Sequence, residues 1–229
     1  IPFAVTWGNH DDEQDMTRAE LSAYISQKRG NLTSTTKGIS GQTYYALTIK
    51  SSAGDKTAAV VYVFDSNSYS PIERVKGYDW IKHDQVQWYI NRSRTFTAAN
   101  GGKPLPALAF FHIPLPEYRE ATQNQNIYMV GTRKEMACAP EVNTGLATAM
   151  LEAGDVKGVF VGHDHVNDYV VDWNGILLGY GRYTGGKTVY HDIPGDNGAR
   201  VIELTEGSDA IHTWIRIAGG KIINEVHFP

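Results

Sequence analysis

The chain has 229 residues, of which 41% are hydrophobic and 20% charged, with a formal net charge of -4. That is enough for one large domain with its own core, and it excludes a collagen-like, low-complexity or strongly basic nucleic-acid-binding chain. No apolar run is long enough to cross a bilayer as a helix, and the single cysteine, Cys138, excludes an internal disulfide framework.

Phe3 to Trp7 predicts a buried strand that ends in the loop Gly8-Asn9-His10-Asp11-Asp12. Thr17 and Glu20 have the spacing of a reciprocal capping box, so a helix is predicted from there to Gly30. Two β-branched apolar runs, Thr43 to Ile49 and Ala58 to Phe64, flank a polar turn and predict a hairpin. Asp65-Ser66-Asn67-Ser68 then supplies strand-end turn chemistry.

A helix is predicted from about Asp84 to Ala98, with Val86, Tyr89, Ile90 and Phe96 on one face and Asn100-Gly101-Gly102 as its stop. Leu105 to Phe111 predicts the next strand, which breaks at His112-Ile113-Pro114. Glu117 to Pro140 is weakly patterned, and a loop of that length inside a domain is usually functional or mobile. A helix over about Val142 to Ala153 leads into a buried strand, Val156 to Val161, that ends at Gly162-His163-Asp164-His165. The remainder predicts strands at 168–173, 176–180, 200–205, 211–217 and 222–227, with Asn174-Gly175 as a tight hairpin turn. Strands alternating with helices, followed by a meander, give an α/β or α+β domain over residues 1–229. Cys138 reads as a small, partly buried filler rather than a nucleophile.

Three places share one arrangement: an apolar strand ends and metal-capable residues follow at once. They are Gly8-Asn9-His10-Asp11, His112, and Gly162-His163-Asp164-His165. Ligand sites in open α/β sheets collect beyond the carboxyl ends of strands, so these loops are predicted to converge. His163 and His165 are two apart, and in extended backbone such residues point to the same side. Each piece alone has an ordinary reading, since histidines after strands are commonly core or rim residues. The weight rests on the three occurring together.

These motifs resemble the third, fourth and fifth motifs of the calcineurin-like metallophosphoesterases. The runs Phe110 to Tyr118, Leu151 to Val156 and Gly162 to Asp168, with Gly77-Tyr78-Asp79-Trp80-Ile81, are similar to the branch containing plant purple-acid-phosphatase-like proteins and fungal phosphoprotein phosphatases. The resemblance implies an αββα sandwich, with two packed mixed sheets flanked by helices. It implies hydrolysis of phosphate esters, mono- or diesters, at a binuclear centre of Fe, Mn or Zn. Asn9, His112 and His163 would hold the second metal and His165 the first. His10 would be the catalytic histidine, and Asp11 the partner that fixes its tautomer.

The family's first two motifs, Asp-x-His and Gly-Asp-x-x-Asp, precede Gly8-Asn9-His10 and are absent from these residues. The expectation is therefore a C-terminal portion of the domain, inactive alone, whose partners are a phosphate-ester substrate and the missing N-terminal segment, with a dimer as another way to cover the sheet. Phe3, Val5, Phe110 and Val159 are the expected uncovered positions. Glu117, Tyr118, Arg182 and His191 are candidate substrate contacts. No nucleic-acid or membrane partner is implied. The compartment is not fixed by the sequence, with a secreted or periplasmic one favoured over the cytoplasm. A noncatalytic binding module is the alternative reading.

Overall fold

The structure, a computed structural model, describes residues 1–123, 127–185 and 197–229. In chain order the elements are α1 (Arg18–Ser26), β1 (Tyr45–Lys50), β2 (Thr57–Val63), α2 (His83–Ala99), β3 (Ala107–Phe110), α3 (Glu117–Ala121), β4 (Met129–Val130), α4 (Leu146–Ala153), β5 (Val156–Val161), β6 (Val170–Trp173), β7 (Ile176–Tyr180), β8 (Gly198–Leu204), β9 (Ile211–Ile217) and β10 (Ile222–Phe228).

Local chemistry accounts for most of these boundaries. Thr17 and Glu20 form the reciprocal capping box that starts α1. Asn174 (φ 50°) and Gly175 (φ 82°) both adopt left-handed backbone, as a two-residue turn between β6 and β7 requires. The predicted helix at Val142 starts later, at Leu146, because Gly145 takes a left-handed conformation immediately before it.

The strands form two sheets, one of seven in the order β1-β2-β3-β5-β7-β6-β4 and one of three in the order β10-β9-β8. Alternation along the central strands gives the larger sheet two apolar faces. Tyr62, Ala109, Val159 and Leu178 point to the side where α2 and α4 pack, with Tyr89, Leu146 and Met150 in the same core. Leu108, Phe160 and Leu177 point the other way, against Ile211, Val226 and Phe228 of the smaller sheet. Two packed sheets with helices against the larger one are the architecture anticipated from the sequence. A buried carboxylate, Asp155, binds the helical side together by accepting from the Tyr62 (3.0 Å) and Tyr89 (2.5 Å) hydroxyls. Both tyrosines are held well above the ordinary phenol pKa, first by burial and then by that carboxylate.

Two expectations change. Phe3 to Trp7 is not a strand of either sheet. It makes one parallel bridge, Phe3 with Asn31, and Val5 N–H donates to the Thr33 hydroxyl (2.9 Å), so the 30–33 loop satisfies backbone groups that a sheet neighbour would. Val159 is not uncovered, because its side chain lies in the helix-side core. Phe110 is half-buried and lines an apolar groove of about 570 Å³ between β1–β3 and β8. Among the described residues, no helix is long and apolar enough to cross a membrane.

Candidate metal centre

Strands β2, β3, β5 and β7 run parallel, so their carboxyl ends share one edge of the sheet. Ser66, His112 and His163 each follow one of the first three within a few residues. The Gly162 N–H donates to the His112 carbonyl (3.1 Å), and the Ile113 N–H to the Ser66 hydroxyl (2.9 Å), which ties the three strand ends together.

The loop carrying Asn9 is closed by its own turn. Gly8 N–H donates to Asp11 Oδ2 (2.5 Å) and Asp11 N–H to the Gly8 carbonyl (3.3 Å). Arg18, buried at the start of α1, fixes that loop to the sheet. Its Nη2 donates to the Gly8 (2.9 Å) and Asn67 (3.2 Å) carbonyls, and its Nη1 lies 3.4 Å from Asp65 Oδ1. Asp65 is itself buried and accepts from the Gln42 (2.7 Å) and Asn67 (2.9 Å) amides. Trp7 adds a second tie, donating to the Ser22 hydroxyl of α1 (2.8 Å).

These supports bring three donors together. Asn9 Oδ1 lies 3.1 Å from His112 Nε2 and 3.0 Å from His163 Nδ1, and the two imidazole nitrogens are 3.3 Å apart. For metal–donor bonds of about 2.1 Å, neighbouring donors sit about 3.0 Å apart in an octahedron and about 3.4 Å apart in a tetrahedron. The triangle falls between these limits.

Burial first, and then the neighbouring His163 and His165, hold the His112 pKa down to about 3. His163 is held to about 4, again by burial before His165 and His10. Both rings are therefore neutral at pH 7, which is the form that coordinates. Asn9 is aimed by Tyr69, whose hydroxyl accepts from the amide Nδ2 (3.2 Å) and leaves the amide oxygen facing the histidines. The Tyr78 ring meets His163 edge-on at 4.3 Å and stacks on Tyr69 at 5.8 Å.

The glycines have a steric reason. A Cβ on Gly8 would come 2.8 Å from His112 Cε1 and Nε2, and one on Gly162 would come 3.3 Å from His112 Nδ1. The imidazole is wedged between two bare backbones. His163 adopts φ 72°, a conformation that costs a non-glycine residue about 1–3 kcal/mol and that clusters at functional sites. The extended geometry assumed for His163 and His165 does not apply here, because the chain turns sharply at Gly162 to Asp164. His163 joins the triangle, and His165 lies near enough to both rings to lower their pKa values through its charge. Asp164 points away from the three donors and is buried, accepting from the Cys138 N–H (3.2 Å) and the Tyr180 hydroxyl (2.6 Å).

The remaining predicted residues divide. His10 is exposed at the tip of the loop, with Nδ1 2.7 Å from Glu13 Oε1. The tautomer partner expected of Asp11 is thus Glu13, because the Asp11 carboxylate is used in closing the Gly8 turn. Tyr118 is fully buried and donates to the Val159 (2.9 Å) and Gly179 (3.1 Å) carbonyls, so it is core and not a substrate contact. Glu117 is buried beside it and accepts from Asn143 Nδ2 (2.8 Å). The short helix α3 turns both inward where a loop was expected. Arg182 is committed to the buried Asp168, with Nη1 to Oδ2 2.5 Å, and is not presented as a phosphate clamp. His191 lies outside the described residues. Arg18, Tyr69 and Glu13 were not singled out from the sequence. The available signal was the polar Asp65-Ser66-Asn67-Ser68 strand end, which marks where a buried partner for Arg18 would sit.

The sequence profile of the calcineurin-like phosphoesterases matches residues 1–167. The chain belongs to that family. It is 33% identical over 246 residues to "Probable inactive purple acid phosphatase 14" of Arabidopsis thaliana, a match covering 95% of this chain and 60% of that protein. It is 35% identical over 201 residues to "Probable inactive purple acid phosphatase 29" of the same plant, covering 79% and 50%. To "Phosphatase DCR2" of Saccharomyces cerevisiae it is 32% identical over 239 residues, covering 96% and 40%. The chain thus spans 40–60% of the length of these relatives. Among solved structures it resembles a dimetal phosphatase from Danio rerio, with TM-score 0.51, 12% identity, and coverage of 81% of this chain and 60% of that one. That likeness carries the two-sheet phosphoesterase fold.

Proposed function

We propose that Asn9, His112 and His163 form one half of a binuclear metal centre that hydrolyses phosphate esters, with His165 a ligand to the other ion. The observation that carries this reading is the triangle of neutral donors with edges of 3.0–3.3 Å at the sheet edge. When bound, the ions supply Lewis-acid activation of water and of the phosphoryl oxygens. Two imidazoles and an amide oxygen suit Zn, Mn or Fe better than Ca or Mg.

The chain's own residues do the rest. His10 projects into solvent at the tip of the Asn9 loop, where an entering ester arrives first. Glu13 accepts a hydrogen bond from Nδ1–H, so Nε2 faces away from it and, when protonated, can give its proton to the departing alkoxide. Arg18 and Asp65 hold the loop that sets the spacing between His10 and Asn9. Tyr69 and Tyr78 form an aromatic wall on one side of the donors.

His165 alone is carried over to the other ion, so residues 1–229 are proposed to bind one transition-metal ion at this site and not to turn over phosphate esters by themselves. The test combines metal titration with a p-nitrophenyl phosphate assay. One equivalent should bind here and disappear in Asn9→Ala or His112→Ala, with no turnover from residues 1–229 and turnover from a chain extended by the family's first two motifs. Unchanged binding in both variants would refute the ligand assignment. Three plant relatives carry "probable inactive" in their names, which favours a second reading as a noncatalytic metal- or partner-binding module. Under that reading the extended chain is also inactive while the metal equivalent is retained.

A further inference from the structure

The outer face of the three-stranded sheet carries a second group of metal-capable side chains, independent of the Asn9 triangle. His212 in β9 and His227 in β10 are directly opposite each other, and their rings stack with centroids 3.9 Å apart and planes 10° apart. Glu225 shares their face, with Oε1 2.9 Å from His212 Nε2. One donor atom from each of the three lies within 4.8 Å of the others. Small side-chain rotations close that to the spacing of about 3.0–3.4 Å which a bound transition metal needs.

The backbone is shaped to make this grouping. The pairing of β10 with β9 slips between Ile223 and Val226, and Asn224 sits there at φ 53°. Strict alternation onward from Ile223, which pairs with buried Ile215, would turn Glu225 inward and Val226 outward. The extra residue keeps Val226 and Phe228 in the core while Glu225 and His227 face outward together. On the other side of His212, Glu203 of β8 is its paired neighbour, with Oε2 3.9 Å from Nδ1. The His212 ring thus has a carboxylate beside each nitrogen, Glu225 within hydrogen-bond distance and Glu203 a small rotation beyond it, and an outer carboxylate of this kind orients metal-binding imidazoles. The two carboxylates, Glu203 and Glu225, carry a charge of -2, which a divalent cation neutralises.

We propose that His212, Glu225 and His227 bind a divalent transition-metal ion, Zn²⁺ by donor type, with Glu203 orienting His212. Two imidazoles and a carboxylate are a common zinc set, and water would complete the tetrahedron. The site needs nothing from the Asn9 centre, so the failure of one proposal leaves the other standing.

Trp214 provides a local reporter, its ring 4.6 Å from that of His212. The experiment uses residues 1–229 and two probes. Zn²⁺ is titrated against a chromophoric chelator to count equivalents, and Cu²⁺ is titrated while following tryptophan emission. The expected result is an equivalent that survives in the His112→Ala/His163→Ala double variant and is lost in His227→Ala. Glu225→Gln should weaken it by about 10-fold or more. Cu²⁺ quenching should fall in Trp214→Phe and in His227→Ala alike. Circular dichroism verifies that each variant is folded, and should His227→Ala fail to fold, Glu225→Gln decides. Equal stoichiometry and equal quenching in wild type, His227→Ala and Glu225→Gln would overturn the proposal and leave the cluster as a cross-strand ion pair.

Discussion

Gly8→Ala isolates the packing of His112 from its chemistry. Gly8 is not in the left-handed region, so alanine adds a methyl group without backbone strain. That methyl would stand 2.8 Å from Cε1 and Nε2 of His112 and 3.0 Å from Cδ2. Carbon contacts settle at roughly 3.5–4.0 Å, so ring or loop must retreat by about 0.7–1 Å. Overpacking of this kind costs about 1–3 kcal/mol of stability. The larger effect falls on the donors, because a retreat of that size lengthens the Nε2–Oδ1 edge of 3.1 Å well beyond what one ion can bridge. Metal affinity should fall about 10- to 100-fold, the loss typical when a ligand loses its support. The assay is unfolding with and without metal. At a metal concentration 100 times the wild-type Kd, binding stabilises wild type by about 2.7 kcal/mol, and a variant weakened about 100-fold by only about 0.4 kcal/mol. A Gly8→Ala protein with the full wild-type metal increment would refute the claim that the bare backbone exists to seat His112.

Three further outcomes are expected. Arg18→Met leaves Asp65 buried without its cation and should cost about 3–5 kcal/mol in urea unfolding, with Arg18→Met/Asp65→Asn recovering part of it. Tyr118→Phe should cost only about 0.5–1.5 kcal/mol through its two lost carbonyl contacts and leave metal affinity unchanged, whereas a large affinity loss would place Tyr118 in the site after all. His112 and His163, held at about 3 and about 4, stay neutral in the folded protein while the unfolded chain takes up protons below its ordinary pKa of about 6.5. Stability present above pH 6.5 is therefore lost as the pH falls towards 4: the metal-free urea midpoint should drop between pH 7 and pH 5, and drop less in His112→Gln.

The sequence made legible those features whose signal is local. The Thr17–Glu20 capping box, the Asn174-Gly175 turn and the apolar runs of β2 and β5 each declare themselves within a few residues. His112 and His163 were found for the same reason, since each ends an apolar strand. Facing was harder to read. Whether Tyr118 turns in or out depends on the one-turn helix α3, which a Pro-rich, weakly periodic stretch does not announce. Asp11 was the partner expected for His10, but its carboxylate closes the Gly8 turn and Glu13 stands beside the imidazole instead. Arg182 looked available because Asp168, fourteen residues earlier, carries no mark of burial. The Asn224 bulge changes which side chains share a face, and periodicity alone cannot register an inserted residue.

What the centre adds to its donors is order in advance of binding. The imidazole of His112 is closely enclosed by the backbones of Gly8 and Gly162. Asn9 has one amide orientation because Tyr69 accepts from its nitrogen, and its loop one position because Arg18 holds the Gly8 carbonyl. His163 bears left-handed strain, and burial keeps both imidazoles neutral below the pH at which exposed histidines ionise. The left-handed strain at His163 and the burial of the Arg18 guanidinium cost stability without improving the apolar core, which a site stabilised by its ligand tolerates. The opening between the three donors is a triangle about 3 Å on a side, which suits the compact cation proposed for it.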